Sequence, residues 1–170
     1  MENKNIRRAV ASDEPITLDI RYKSWLKAYN HIFTEDEIHN HFQVKINDEN
    51  YRKTSRERIE QNPNYYVYSV DNKPVAILIM IVDKQELQNN EVVCFYCYPE
   101  YQRNGIGKTL FDFAKDIFIK NDIHSFKVEA LKDNFVGGNF YKKHGGIIVE
   151  NTKKHLCHKD VDCVIYNFEI

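Results

Sequence analysis

The sequence has little of what marks unusual classes of protein. Glycine and proline are scarce, with 6 and 4 residues among 170, and there is no internal repeat, low-complexity tract or linker. The longest apolar run, Val75 to Val82, is far too short to span a bilayer. The formal net charge is only -1, which argues against nucleic acid or an anionic membrane as the main partner. We expect one globular domain over residues 1–170 and no membrane segment.

The four cysteines are too few and too poorly placed to suggest a disulfide scaffold or a metal site. Cys94 and Cys97 are three residues apart on a predicted strand, so their side chains point to opposite faces and cannot grip one metal ion. The beginning of the chain runs into Ser12 to Pro15 instead of an apolar stretch, which is unlike a secretory signal. These features predict a cytoplasmic protein with reduced thiols and no metal.

Aromatic residues are plentiful, with 11 Tyr and 10 Phe, so we expect a largely aromatic core. Hydrophobic periodicity and turn residues predict the order of elements. The predicted strands are Ile6 to Val10, Tyr65 to Val70, Val75 to Val82, Val92 to Tyr98, Phe126 to Leu131, Ile147 to Glu150 and Val161 to Phe168. The predicted helices are Pro15 to Tyr29 (capped by Ser12 and Asp13), one opening on a Thr34–Glu37 capping box, Asn50 to Asn62, Ile106 to Lys120, and Asn134 to Lys143.

The segment from Pro99 to Lys108 is the most informative for function. It leaves a predicted strand and opens a helix, where unpaired N–H groups and the helix dipole favour an anion. Gly105 and Gly107 let a phosphate approach the backbone, and Arg103 and Lys108 add positive charge. Taken alone, the glycine pair is equally consistent with plain loop-to-helix geometry.

Two motifs make the chain resemble the GNAT superfamily of N-acetyltransferases. Residues Gln102 to Gly107 match its Gln/Arg-x-x-Gly-x-Gly/Ala signature, and the strand before them resembles that family's fourth strand. The segment Asn134 to Tyr141 resembles its second signature, an Asn seven residues before a Tyr. The resemblance implies an α/β (α+β) fold in which a mixed, mainly antiparallel central sheet is flanked by helices and the fourth and fifth strands splay apart.

The resemblance also implies a binding site for acetyl-CoA. The pantetheine arm would pair with exposed backbone groups of Cys97 and Tyr98, in the gap between the splayed strands. The pyrophosphate would lie on the backbone amides of the glycine loop. Asn134 would contact the cofactor or cap the helix that follows it, since Asn is a good N-cap. The loop residues concerned are Gln102, Arg103, Asn104, Gly105, Ile106, Gly107 and Lys108.

Two residues are candidates for catalysis. Tyr141 would act as the general acid toward the leaving thiolate, the alternative being a packed core tyrosine. Glu91 would act as the general base, because an amine with a pKa near 10 is mostly protonated at neutral pH. The alternative for Glu91 is a solvated carboxylate at a strand end.

Three further features concern the acceptor site and the helix that carries Tyr141. Trp25, Tyr29 and Phe33, with an acidic run from Glu35, are expected near an acceptor pocket, although a charge run is more often a solvated face. Gly137 and Gly138 would leave their helix mobile or let its backbone approach the cofactor. Gly146 stands where many relatives of the family have an aromatic residue.

The sequence therefore predicts an acetyl-CoA-dependent N-acetyltransferase acting on a primary amine of a small molecule, peptide or protein. The alternatives are a non-catalytic CoA-binding sensor domain and a transferase of a longer acyl group. We expect acetyl-CoA and an amine acceptor as partners, with a homodimer as an open alternative for the assembly.

Overall fold

The computed structural model describes residues 5–170. Met1 to Lys4, which entered the argument against a secretory signal, lie outside the described residues. The strands are β1 (Ile6–Arg8), β2 (Tyr65–Val70), β3 (Lys73–Ile81), β4 (Glu91–Cys97), β5 (Ser125–Leu131), β6 (Ile147–Leu156) and β7 (Lys159–Glu169). The helices are α1 (Glu14–Ala28), α2 (Glu35–Asn47), α3 (Glu49–Gln61), α4 (Ile106–Lys120) and α5 (Phe135–Lys143). Short 3-10 turns cover Ala11–Asp13, Leu87–Asn89 and Pro99–Tyr101.

The seven strands form one sheet in the order β1-β2-β3-β4-β5-β7-β6. The pairs β1–β2, β2–β3, β5–β7 and β6–β7 are antiparallel, whereas β4 and β5 are parallel. The pairing of β4 with β5 consists of the single register pair Glu91–Lys127, although β4 continues to Cys97. This confirms the predicted mixed sheet, mainly antiparallel and with splayed fourth and fifth strands.

The chain divides into two compact units, of which the first comprises Met1–Ile79 and Cys94–Phe111. The helices of this unit bury apolar side chains at helical spacing, as the sequence predicts. Thr34 and Glu37 form the predicted capping box, in which the Glu37 N–H donates to Thr34 Oγ1 at 3.2 Å and the Thr34 N–H donates to Glu37 Oε2 at 2.7 Å. The fully buried residues of this first unit include Ile20, Phe33, Ile38, Phe42, Ile59, Val67, Ile77, Leu78 and Phe111.

The second unit comprises Met80–Val93 and Asp112–Ile170. Its centre is a stack of three phenylalanines, with ring centroids 4.6 Å apart for Phe118 and Phe126 and 4.9 Å apart for Phe126 and Phe168. All three side chains are buried. The expectation of an aromatic core is confirmed in both units.

The last two strands are longer than the sequence predicts. They pair from Ile147–Asn167 to Leu156–Lys159 around a tight turn in which Cys157 and His158 have φ of 48° and 65°. Two consecutive residues with positive φ match the hairpin turn whose twist suits antiparallel strands. The polar, exposed run before Cys157 hid the extension, because it lacks the apolar alternation of a half-buried strand.

The predicted cap of the first helix is wrong in its chemistry. Asp13 occupies the N-cap position of α1, but its side chain makes no cap hydrogen bond. Its carboxylate instead accepts hydrogen bonds from Arg7 at 2.7 and 2.9 Å and from the Val10 N–H at 2.9 Å. A bidentate bond to a guanidinium is stronger than a bond to a backbone amide, so the carboxylate ties β1 to the turn.

Candidate active site

The glycine-containing loop joins β4 to α4 through two residues with left-handed backbone. Arg103 has a φ of 65° and Gly105 a φ of 80°, and α4 begins at Ile106 immediately afterwards. The N–H groups of a helix's first turn lack partners within the helix, so they can face an anion held by the loop. Arg103, Asn104 and Lys108 are exposed. The loop therefore offers both backbone amides and positive charge to a pyrophosphate.

The carbonyl group of Cys97, at the end of β4, accepts two hydrogen bonds from the protein. Ser24 Oγ donates to it from α1 at 3.0 Å, and Gln102 Nε2 donates from the loop at 3.1 Å. The structure thus brings together two predicted cofactor residues, Cys97 and Gln102. A carbonyl oxygen has two lone pairs, so a cofactor amide can pair with Cys97 only if one of these donors moves away.

The backbone of Tyr98 is engaged within the protein, which differs from the expectation of exposed groups there. Its N–H donates to the Val75 carbonyl at 2.9 Å, and its carbonyl accepts from the Tyr101 N–H at 3.0 Å. The 3-10 turn Pro99–Tyr101 accounts for the engaged carbonyl, and β3, which contains Val75, accounts for the engaged N–H. The Tyr98 hydroxyl donates to Asp19 at 2.5 Å, and burial, followed by this bond, raises the pKa of the phenol.

The cysteines are free thiols. Burial raises the pKa of the Cys94 thiol to about 11, and burial together with the nearby Glu100 raises that of Cys97 to about 12. Both thiols are therefore protonated at neutral pH and are poor nucleophiles. Within residues 5–170, no group of three or more His, Cys, Asp or Glu residues is arranged to hold a metal ion.

Glu91 begins β4 and is half-buried. Burial raises its pKa, the ammonium of its register partner Lys127 opposes the shift, and the carboxylate of Glu129 adds to it. Glu129 is itself held in place, by an ion pair with Lys154 and by the Thr152 hydroxyl at 2.7 Å. A carboxylate with a raised pKa is a stronger base than an ordinary glutamate, which suits Glu91 to accept a proton.

The helix α5 carries the other two candidates, Asn134 and Tyr141. Asn134 is the N-cap, and its Oδ1 accepts a hydrogen bond from the Gly137 N–H at 3.0 Å. The Tyr141 ring is buried, with its centroid 5.3 Å from the Tyr166 ring and 6.3 Å from the Phe168 ring. Glu91 and Tyr141 belong to the same compact unit. Glu91 interacts with charged groups of β5 and with Lys154 of β6, whereas the Tyr141 ring contacts Phe140 of its own helix and two rings of β7.

Three glycines near these residues are closely packed against neighbouring side chains. A Cβ on Gly137 would lie 2.6 Å from Nδ2 of Asn134, and one on Gly138 would lie 3.0 Å from the Tyr166 hydroxyl. A Cβ on Gly146 would lie 2.7 Å from the ring of Phe168. The ring of Phe168 therefore fills the space that a side chain at position 146 would need.

The aromatic residues expected around an acceptor pocket form a packed core instead. Trp25, Tyr29 and Phe33 are 7%, 4% and 1% exposed. Trp25 stacks on His41, with centroids 5.1 Å apart and planes at 10°, and its indole Nε1 donates to the Tyr96 hydroxyl at 3.1 Å. Buried, mutually packed rings leave no open pocket among themselves, so the acidic run from Glu35, which is exposed, is better described as a solvated face.

Arg21 is a residue that the sequence reasoning missed. It lies on α1, three residues after the buried Leu18 and four before the buried Trp25, which places a cation in the stripe that packs on the sheet. Its Nε atom is sealed from solvent and has no hydrogen-bond partner in the part of the chain that the structure describes. The signal in the sequence was a positively charged residue at a position where the helical periodicity predicts a buried apolar side chain. This signal could have been noticed from the sequence alone.

No helix among residues 5–170 is long and apolar enough to cross a membrane. A cavity of about 340 Å³ is lined by Lys132, Asn151, Thr152, Lys153 and Asp162. None of these five residues is a predicted site residue, so the cavity does not bear on the predicted chemistry.

Comparison with known proteins gives a consistent result. The family model described as "Acetyltransferase (GNAT) family" matches residues 22–146. A spermidine N(1)-acetyltransferase of Thermoplasma acidophilum is 28% identical over 148 residues, which cover 86% of this chain and 89% of the relative.

Solved structures show the same fold. The PaiA N-acetyltransferase of Thermoplasma acidophilum, in complex with coenzyme A, aligns with a TM-score of 0.78 at 23% identity, covering 97% of this chain and 98% of that one. The ribosomal-protein-S18-alanine N-acetyltransferase of Escherichia coli aligns with a TM-score of 0.66 at 17% identity, covering 97% and 92%.

Proposed function

The chain belongs to the acetyltransferase (GNAT) family and is an acetyl-CoA-dependent N-acetyltransferase, and on that premise we propose that residues 1–170 act as one domain that transfers the acetyl group directly to a primary amine. The observation that carries this mechanism is Glu91, a half-buried carboxylate with a raised pKa at the single point where β4 and β5 pair. Such a group can take a proton from an ammonium acceptor, which cannot attack until it is deprotonated.

The transfer then needs two more events. The neutral amine nitrogen forms a bond to the thioester carbon, and the tetrahedral intermediate breaks its C–S bond. We assign to Tyr141 the proton that the departing thiolate receives, since a phenol can donate a hydrogen bond or a proton to it. The attacking nitrogen loses its remaining extra proton to solvent as the amide forms, and Tyr141 regains its own proton from solvent. No acyl group is attached to the enzyme at any stage.

We assign the donor's pyrophosphate to the loop from Gln102 to Lys108. The left-handed residues Arg103 and Gly105 and the start of α4 support this assignment. The pantetheine arm is assigned to the Cys97 carbonyl, from which Gln102 would have to release its hydrogen bond. Asn134 is a helix cap in the structure, and contact with the cofactor remains its second proposed role.

The experiment that tests donor binding is thermal unfolding with acetyl-CoA. At one hundred times its dissociation constant, a ligand that binds only the folded state stabilises it by about 2.7 kcal/mol. No shift of the melting temperature at millimolar acetyl-CoA would contradict the assignment.

Release of free thiol from acetyl-CoA across an amine panel tests turnover and acceptor choice. Spermidine leads the panel, because a spermidine N(1)-acetyltransferase is among the relatives. Peptides with free N-termini or lysines follow. Binding of acetyl-CoA without release of thiol in the presence of any acceptor would favour a sensor domain. Faster release of thiol from longer acyl-CoA donors would favour a transferase of a longer acyl group.

The cytoplasmic location and a homodimeric assembly stay predictions from the sequence. Cell fractionation followed by immunoblotting tests the first, and sedimentation equilibrium tests the second.

A further inference from the structure

Arg21 is a half-buried cation with which no other described residue pairs. Within residues 5–170 its guanidinium makes no hydrogen bond and no ion pair, and its Nε atom is sealed from solvent. Buried arginines are ordinarily paired with a carboxylate, because removing a charge from water costs several kcal/mol. Arginine cannot escape this cost by losing its proton.

The groups that face Arg21 come from three other elements, and none of them is a carboxylate. They are the Cys94 thiol and the phenols of Tyr51, Tyr65 and Tyr96. Burial raises the pKa of Cys94 to about 11 and that of Tyr65 to about 12, and it also raises the pKa of Tyr96. The protein therefore surrounds a full positive charge with neutral polar groups.

This arrangement is suited to an anion that the chain does not itself supply. Arg21 is half-buried, and of its guanidinium nitrogens only Nε is sealed from solvent without a hydrogen bond, so a ligand can approach the Nη atoms from the solvent side. The Tyr96 hydroxyl is hydrogen-bonded to Trp25, which donates to it at 3.1 Å, and to Tyr29. With both of these groups as donors, the Tyr96 hydroxyl keeps its own proton to donate to a ligand. A guanidinium and a phenol on one side of β4 thus offer donors to the same ligand.

We propose that Arg21 is the centre of a carboxylate-binding site, with the Tyr96 hydroxyl as a second donor. A single guanidinium matches a carboxylate in charge and in planar, bidentate geometry. A phosphate dianion would need more positive charge than Arg21 provides. The carboxylate can belong to the amine acceptor or to a separate small molecule that binds β4 from this side.

The first test measures binding without acetyl-CoA, so its outcome does not depend on the proposed acetyl transfer. Calorimetry would compare ω-amino acids of three to six carbons with the alkylamines of the same length, which replace the carboxylate by a methyl group. At one chain length or more, the wild type should bind the amino acid at least about tenfold more tightly. Equal binding at every length would overturn the proposal.

Variants of Arg21 provide the control. Arg21→Met keeps the length of the side chain and should abolish the preference for the carboxylate, while Arg21→Lys keeps the charge but loses the bidentate geometry and should retain only part of it. In low-salt buffer without ligand, Arg21→Met should melt at the same temperature as the wild type or higher, because an uncompensated charge is removed. A marked drop in melting temperature would show that Arg21 is structural and would contradict the proposal.

A second arm, which rests on the proposed function, distinguishes the two sources of the carboxylate. If it belongs to the acceptor, ω-amino acids should have a higher kcat/KM than the matched alkylamines, and Arg21→Met should remove that advantage. If a separate carboxylate binds, the simple carboxylates from acetate to hexanoate should raise the melting temperature of the wild type. They should not inhibit competitively against an alkylamine, so its KM should stay the same in their presence. A failure of turnover would leave the calorimetric result intact.

Discussion

The change Gly137→Ala tests how the first turn of α5 is built. A Cβ at this position would lie 2.6 Å from Nδ2 and 3.1 Å from Oδ1 of Asn134. The same side chain caps the helix by accepting a hydrogen bond from the Gly137 N–H at 3.0 Å. Alanine at position 137 and the Asn134 cap therefore cannot coexist in their present positions.

The magnitude follows from two opposing effects. Alanine stabilises a helix interior by about 1 kcal/mol relative to glycine. Loss of an Asn cap costs about 1 kcal/mol and at most about 2. Gly137→Ala should therefore leave the free energy of unfolding unchanged or lower it by up to about 1 kcal/mol.

The same substitution should behave differently when the cap is already absent. In Asn134→Ala there is no Nδ2 to meet the new Cβ, so Gly137→Ala should then stabilise the protein by about 1 kcal/mol. The two changes should be coupled by about 1 to 2 kcal/mol. Urea unfolding of the four proteins at constant m measures this, and melting temperatures should follow at about 2–4 °C per kcal/mol.

An equal stabilisation by Gly137→Ala in both backgrounds would refute the close packing of Gly137 against Asn134. Titration of Asn134→Ala with acetyl-CoA separates the two roles of the asparagine. An unchanged affinity would mean that Asn134 is only a cap, whereas a weaker affinity despite normal folding would assign it a contact with the cofactor.

Three further predictions concern catalysis and pH. Glu91→Gln should lower kcat/KM by roughly 10²- to 10⁴-fold and remove the acidic limb of the pH–rate profile. Because burial raises the pKa of Glu91, that limb should lie above the ordinary range for Glu, and the exposed Glu86→Gln is the matched control. Tyr141→Phe should lower turnover with little change in acetyl-CoA affinity, and unchanged turnover would remove Tyr141 from the mechanism. Burial by itself would raise the pKa of Asp13, but hydrogen bonds from the Arg7 guanidinium and the Val10 N–H lower it below its ordinary value. Its stabilising contribution should be complete above the unfolded pKa of about 3.9 and lost as the pH falls through the folded value; acid unfolding of Asp13→Asn should lack this component.

Local chemistry accounts for what could be predicted from the sequence. The Thr34–Glu37 capping box and the bounds of α4 depend on residues within one or two helical turns, and both are confirmed. The hairpin of β2 and β3 follows likewise from Asp71 and Asn72, whose φ values of 49° and 64° suit the tight turn. The extension of β6 was missed because its polar residues carry no alternation, although they pair fully with β7.

Side-chain partners that are distant in the sequence could not be predicted in this way. Asp13 bonds to Arg7 and not to its own helix, since a bidentate guanidinium is the stronger partner. The Cys97 carbonyl accepts a hydrogen bond from Ser24, which is 73 residues away in the sequence. Trp25 stacks on His41 within the core, so its aromatic character serves packing and not an open pocket.

The sequence by itself determined the family, the order of the strands and helices, and the glycine-containing loop to which we assign the pyrophosphate. These are encoded in backbone conformation and in short-range capping and periodicity, which each segment carries with it. Only the tertiary structure decided the state of the charges: Glu91 is partly desolvated beside Lys127, and Arg21 is half-buried among neutral groups. The physical reason is that the energy of a charge depends on everything that surrounds it in space, and those surroundings exist only once the strands and helices are packed.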